Sequence, residues 1–147
     1  MNTLLLDLDS WDLTVVNGNI ALATGKYAIA QDVASACRTF RDEVWYDLSQ
    51  GIPYLLRGTN VSGAEILGQN PPVQYIKYQL VTTGETVPDV TSITCYLTGP
   101  DKATRQLGGQ LQIFDDLGNF VGAVQSDVFF GGAPWYVMGA TDGAFSP

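Results

Sequence analysis

Lys26-Tyr27-Ala28-Ile29-Ala30-Gln31-Asp32-Val33-Ala34-Ser35-Ala36-Cys37-Arg38-Thr39-Phe40-Arg41-Asp42-Glu43 is the stretch whose periodicity decides the fold, and it continues as Val44-Trp45-Tyr46-Asp47-Leu48-Ser49-Gln50-Gly51-Ile52-Pro53-Tyr54. Ile29, Val33, Ala36, Cys37 and Phe40 recur at three- and four-residue steps, so they share one face of a 3.6-period helix. Gln31, Asp32, Ser35, Arg38, Arg41 and Asp42 fall largely on the other faces. Ala28, Ala30, Ala34 and Ala36 add helix propensity and allow another element to approach closely. Thr24, before Gly25, is placed to cap the start. The spacing predicts a helix over 26–42. After Glu43 the period breaks, and a Trp-Tyr pair leads to Gly51-Ile52-Pro53, where proline restricts the residue before it to extended backbone. A helix followed by two aromatics and a rigid bend reads as a packing platform.

On the N-terminal side, Asn17-Gly18 separates two apolar runs, and both residues accept the positive φ of a type I′ hairpin turn. This predicts strands near 11–16 and 19–23. On the C-terminal side, Asn70-Pro71-Pro72 resembles a cap with prolines in the first helical turn. Val73, Ile76, Lys77, Leu80 and Val81 then stripe a second helix that Thr83-Gly84 ends. Pro88-Asp89 opens a strand-rich half: Ile93, Cys95 and Leu97 form the expected core face of one strand. Leu111 and Ile113 pair across Asp115-Asp116-Leu117-Gly118-Asn119 with the run from Phe120 to Val124. The expected fold class is α+β: two helices packed on a small antiparallel or mixed sheet, with an N-terminal hairpin and a C-terminal hairpin and arm. One core domain over 1–125 is followed by an aromatic, glycine-rich arm over 126–147. That arm either covers this sheet or lies on a neighbour.

The chain has 147 residues, 46% of them hydrophobic, so a real core is available without disulfide staples. Its formal net charge is −8, with 15 acidic and 7 basic residues, which argues against nucleic acid as a partner because counterion release needs clustered Lys and Arg. All seven basic residues lie at or before Arg105. No apolar run is long enough for a membrane helix, and no signal peptide is expected. Cys37 and Cys95 read as buried thiols rather than a disulfide.

Chemistry has little to work with. The absence of histidine removes the usual zinc and nucleophilic sites, and no metal or cofactor is expected. Asp7, Asp9 and Asp12 lack the glycine and terminal glutamate of a calcium loop. Glu43 and Asp47 flank Trp45 and Tyr46, a composition suited to stacking on a sugar, and paired carboxylates suffice for glycoside hydrolysis. This leaves a peptidoglycan-active or sugar-binding domain centred on Glu43 as the alternative function. Arg38 and Arg41, one predicted turn apart, either pair with Asp42 and Glu43 or make bidentate contacts with a partner's carboxylates. Trp45, Tyr46 and Tyr54 are expected to pack on the helix. Trp11, Phe129, Phe130, Trp135 and Tyr136, next to turns or in the arm, join Arg38, Arg41 and Glu43 as the interface candidates.

As an ordered set, the central pieces resemble the baseplate wedge family of contractile-tailed bacteriophages and related injection machines, the sheath-initiator-like proteins. That family's pattern is a short hairpin ending in Gly, a helix beginning around Ala-x-x-Gln-Asp, a Leu/Cys-x-Thr-Phe/Trp-x-Gly-Glu-Trp segment and an Asp-x-x-x-Gly-x-Pro-Tyr turn. The corresponding residues are Asn17 to Leu22 with Gly25, Ala28 with Ala30-Gln31-Asp32, Thr39 to Asp47, and Gln50 to Tyr54. The similarity covers about residues 10–97. Asp42 departs from it, since Gly is usual there, and so does the chain beyond Leu97. The resemblance implies a non-enzymatic virion subunit, assembled in the host cytoplasm in six copies or a multiple of six. Its implied partners are other wedge proteins, the hub or tube and the sheath, with no nucleic acid and no membrane. Some relatives carry a lysozyme label, which these residues do not support.

Overall fold

Asn17 and Gly18 both have left-handed backbone, with φ of 51° and 78°. They fold Val15–Val16 (β2) back on Asn19–Ile20 (β3), as the Asn-Gly pair predicts. The structure, a computed structural model, describes residues 2–7, 10–54, 66, 72–98, 108–126 and 136–138. The hairpin strands are shorter than expected. Trp11 has a φ of 56°, which an extended strand cannot hold, so pairing begins beyond it. Asn2–Leu4 (β1), not expected from the pattern, pairs antiparallel with Leu22–Thr24 (β4). The two ladders are joined where the Thr14 N–H donates to the Leu5 carbonyl (3.0 Å) and the Ala21 N–H to the Thr14 carbonyl (2.9 Å).

The first helix, α1, runs from Gly25 to Arg38. Thr24 stands at its N-cap with extended backbone, but its side chain makes no capping hydrogen bond. The helix ends four residues before the predicted boundary. Thr39 turns out of it, with ψ of 129°, while its Oγ1 donates to the Ser35 carbonyl at 2.9 Å. Tyr27, Ala28, Ala30, Gln31, Val33, Ala34 and Cys37 are buried. Of the predicted stripe only Val33 and Cys37 are among them: Ile29 and Ala36 are half-buried, and Phe40, beyond the end of the helix, is exposed. The second helix, α2, spans Val73–Gly84 and buries Ile76, Gln79 and Leu80. Its cap is Pro72; the predicted cap, Asn70, lies outside the described residues.

Ser92–Thr98 (β5), Gly108–Phe114 (β6), Phe120–Ser126 (β7) and Tyr136–Met138 (β8) form an antiparallel meander in that order. Ile93 lies opposite Ile113 and Leu111 opposite Val124; all four are buried and face the helices. Helix α1 lies on β7 and β8, and α2 on β5. Among the described residues the architecture is therefore two helices with three small antiparallel sheets, as the α+β expectation has it. β8 belongs to the stretch read as an arm, and these three residues extend this chain's own sheet as an edge strand, pairing Gln125 with Tyr136 and Ala123 with Met138. Cys37 is buried and Cys95 half-buried, and both are free thiols. Burial pushes the Cys95 thiol up to about 11, with Lys77 partly offsetting it, and drives Cys37 higher, so both are protonated at neutral pH.

Gln31 is the least expected member of the core, being only 1% exposed. Its Nε2 donates to the Leu4 carbonyl (2.8 Å) and its Oε1 accepts the Leu6 N–H (2.9 Å), so α1 holds the N-terminal strand by a side chain. Truncating it strands a donor and an acceptor of the backbone. Gln31→Ala is expected to destabilise the fold by about 2–3 kcal/mol, read from the urea midpoint.

Candidate functional site

The site is built where α1 stops. The last carbonyls of a helix lack intrahelical partners and must find others. The Thr39 N–H serves Ser35 and Ala36, and the Tyr54 hydroxyl donates to the Cys37 carbonyl at 2.6 Å. This brings residues 51–54 against the helix end. The Ile52 N–H donates to the Thr39 carbonyl and the Arg41 N–H to the Ile52 carbonyl, both at 2.9 Å, which makes one parallel bridge between Phe40 and Ile52. Gly51 permits it: its φ is +95°, and a Cβ there would stand 2.6 Å from the Thr39 carbonyl oxygen. Ile52, Pro53 and Tyr54 are buried, and the Tyr54 ring meets Phe40 at 5.1 Å.

Between these anchors, residues 40–50 form a chain of tight turns. The Glu43 carboxylate accepts the Phe40 N–H (2.9 Å), while the Glu43 N–H returns to the Phe40 carbonyl (3.2 Å). Asp42 has a φ of 70° and donates its N–H to the Leu48 carbonyl at 3.2 Å. The Asp47 carboxylate accepts from the Ser49 hydroxyl (2.6 Å), the Ser49 N–H (3.1 Å) and Gln50 Nε2 (3.3 Å). The Ser49 donors hold its carboxyl below the usual range. Both carboxylates of the pair flanking Trp45 are thus engaged with their own loop.

Arg38 and Arg41 do not share a helical face, since the helix ends between them. Arg38 turns to the N-terminal loop, with its guanidinium carbon 3.6 Å from the centre of the Trp11 ring, a cation–π contact. These two interface candidates therefore face each other. Arg41 reaches toward α2, and its Nη2 donates to the Gly51 carbonyl (3.3 Å) and to Gln79 Oε1 (3.2 Å). Its Nε is buried without a hydrogen-bond partner, and no carboxylate among the described residues pairs with it. A cleft of about 550 Å³ opens beside Arg41, lined also by Asp32, Thr39, Asp47, Gln50, Thr83 and Pro88. Burial pushes the Asp32 carboxyl up, partly offset by a hydrogen bond from Thr3, so the two carboxylates of this cleft are shifted in opposite directions.

Trp45 and Tyr46 do not pack on the helix as expected. They are 86% and 71% exposed and meet each other edge-on at 5.4 Å. The early end of α1 carries them outward on the turns, with Leu48, 55% exposed, beside them. Tyr54 alone of the three aromatics packs as expected. The missed surface had one visible signal, a Trp-Tyr pair set among Asp42, Glu43 and Asp47 without helical period. Phe129, Phe130 and Trp135 lie outside the described residues, and of Tyr136 only the strand pairing is described. Among the described residues no group of three His, Cys, Asp or Glu could hold a metal ion, and no helix is long and apolar enough to cross a membrane. Comparison with protein-family models and with curated proteins gives no match.

The two left-handed positions make separable predictions. Gly51→Ala is expected to cost about 3 kcal/mol, because strain and a backbone clash coincide. Asp42→Ala should cost about 1 kcal/mol, whereas Asp42→Gly should match or exceed the wild type in a urea melt. Tyr54→Phe, which orphans the Cys37 carbonyl, should cost about 1–2 kcal/mol by the same measurement.

Proposed function

We propose that the chain is a structural subunit of a bacteriophage tail baseplate wedge, linking the hub or tube region to larger wedge proteins and to sheath. The observation that carries this reading is backbone geometry at the two glycine positions of the resembled pattern. Position 51 keeps its glycine at a φ of +95°, and position 42, where the pattern has Gly and this chain has Asp, stands at 70°. Other residues of the pattern also have structural tasks: Gln31 holds β1, Glu43 closes the turn, and Tyr54 caps α1. The pattern thus specifies a loop geometry rather than a catalytic set. In this role the chain works without a cofactor, in six copies or a multiple of six per particle.

A second reading, a peptidoglycan-active or sugar-binding domain, loses its centre at Glu43, whose carboxylate accepts a backbone N–H. Its support is the cleft where Asp32 and Asp47 are shifted apart. Two experiments separate the readings. Mass spectrometry of purified tails should find the chain together with sheath, tube and wedge proteins. Purified chain incubated with peptidoglycan should release no soluble fragments. Release that stops in Asp32→Asn or Asp47→Asn, with the melting temperature unchanged, would replace the structural reading with the enzymatic one.

A further inference from the structure

Trp45, Tyr46 and Leu48 form an apolar tip that the fold does not use. Scattered exposed apolar residues are ordinary. This tip differs in its order, its composition and its charge. The loop is fixed before any partner arrives, by Glu43 on the Phe40 N–H, by the Asp42 N–H on the Leu48 carbonyl, and by Asp47 on Ser49. Binding through it would freeze few additional backbone torsions, which lowers the entropic cost of association. Trp and Tyr offer large contact area on stiff side chains, and such residues dominate the centres of protein interfaces. The charged residues from Asp42 to Gln50 are Asp42, Glu43 and Asp47, with no Lys or Arg.

From this arrangement we infer that the tip is a docking knob that seats in an apolar pocket with a basic rim on a partner protein. The inference rests on the assembly reading above and names the surface that carries it. The acidic collar selects the partner. Anionic lipid headgroups and nucleic acid would both be repelled by it. A second copy would present the same collar on a chain whose net charge is already −8. A basic-rimmed pocket satisfies both the rings and the carboxylates.

The test counts full-length variants incorporated into tail particles of the phage that encodes the chain, by quantitative mass spectrometry. Trp45→Ala with Tyr46→Ala should leave the melting temperature unchanged, since both side chains are exposed, and lower incorporation about tenfold or more. Leu117→Ala, 80% exposed in the β6–β7 turn, should be incorporated like the wild type. Asp42→Asn with Asp47→Asn, which keeps one oxygen at position 47 to accept from Ser49 and gives up the Gln50 contact, should lower incorporation several-fold and flatten its salt dependence. Full incorporation of the double alanine variant would overturn the knob and leave the assembly reading standing. Absence of the wild-type chain from the particles would overturn both. Sedimentation of purified chain, alone and with phosphatidylcholine or phosphatidylserine vesicles, covers the other occupants. A dimer or a vesicle complex that the alanine variant abolishes would overturn the proposal of a separate protein partner.

Discussion

The closing of the first helix by Tyr54 is the constraint on which the rest of the structure turns. The C-terminal end of a helix leaves carbonyls that need donors, and here a phenolic hydroxyl arrives from seventeen residues downstream to serve Cys37. For that hydroxyl to reach, residues 51–54 must lie along the helix terminus. For them to lie there, position 51 must have no side chain. The parallel bridge from Phe40 to Ile52 follows, and Arg41 then extends across the same junction to Gln79 on the second helix. One loop thereby ties both helices together and projects its middle residues outward.

The same constraint explains why the loop can display bare aromatics without disorder. Its polar side chains satisfy its own backbone, so the apolar ones are not required for closure. Glu43 and Asp47 carry this local work, each accepting hydrogen bonds from its own loop. Arg38 is likewise occupied by the Trp11 ring, while Arg41 stays half-buried beside the cleft. The loop is pinned at both ends and leaves Trp45 and Tyr46 exposed.

What could be read from the chain beforehand follows the range of the interactions involved. The Asn17-Gly18 turn, the second helix, the inward face of Ile93, Cys95 and Leu97, and the hairpin around Gly118 rest on local turn chemistry and periodicity, and these were legible. The end of the first helix was not, because apolar spacing continues to Phe40 and only a bridge to Ile52 stops it. The exposure of Trp45 and Tyr46 depends on that same boundary, so it shared the error. Gln31 was hidden for a different reason. A polar residue between apolar neighbours carries no pattern that distinguishes a buried hydrogen-bonding role from solvent.

That glutamine has a further consequence. Its amide sets an N–H and a carbonyl oxygen side by side against the Leu4 carbonyl and the Leu6 N–H, so it supplies α1 with a single rung of a β-ladder. The N-terminal strand therefore takes its register from the rotational setting of the helix as well as from β4. A slip of one residue against β4 would turn Leu5 outward and would also break the rung, and the two penalties fall together. Helix rotation and strand alignment are in this way a single degree of freedom, locked by one side chain.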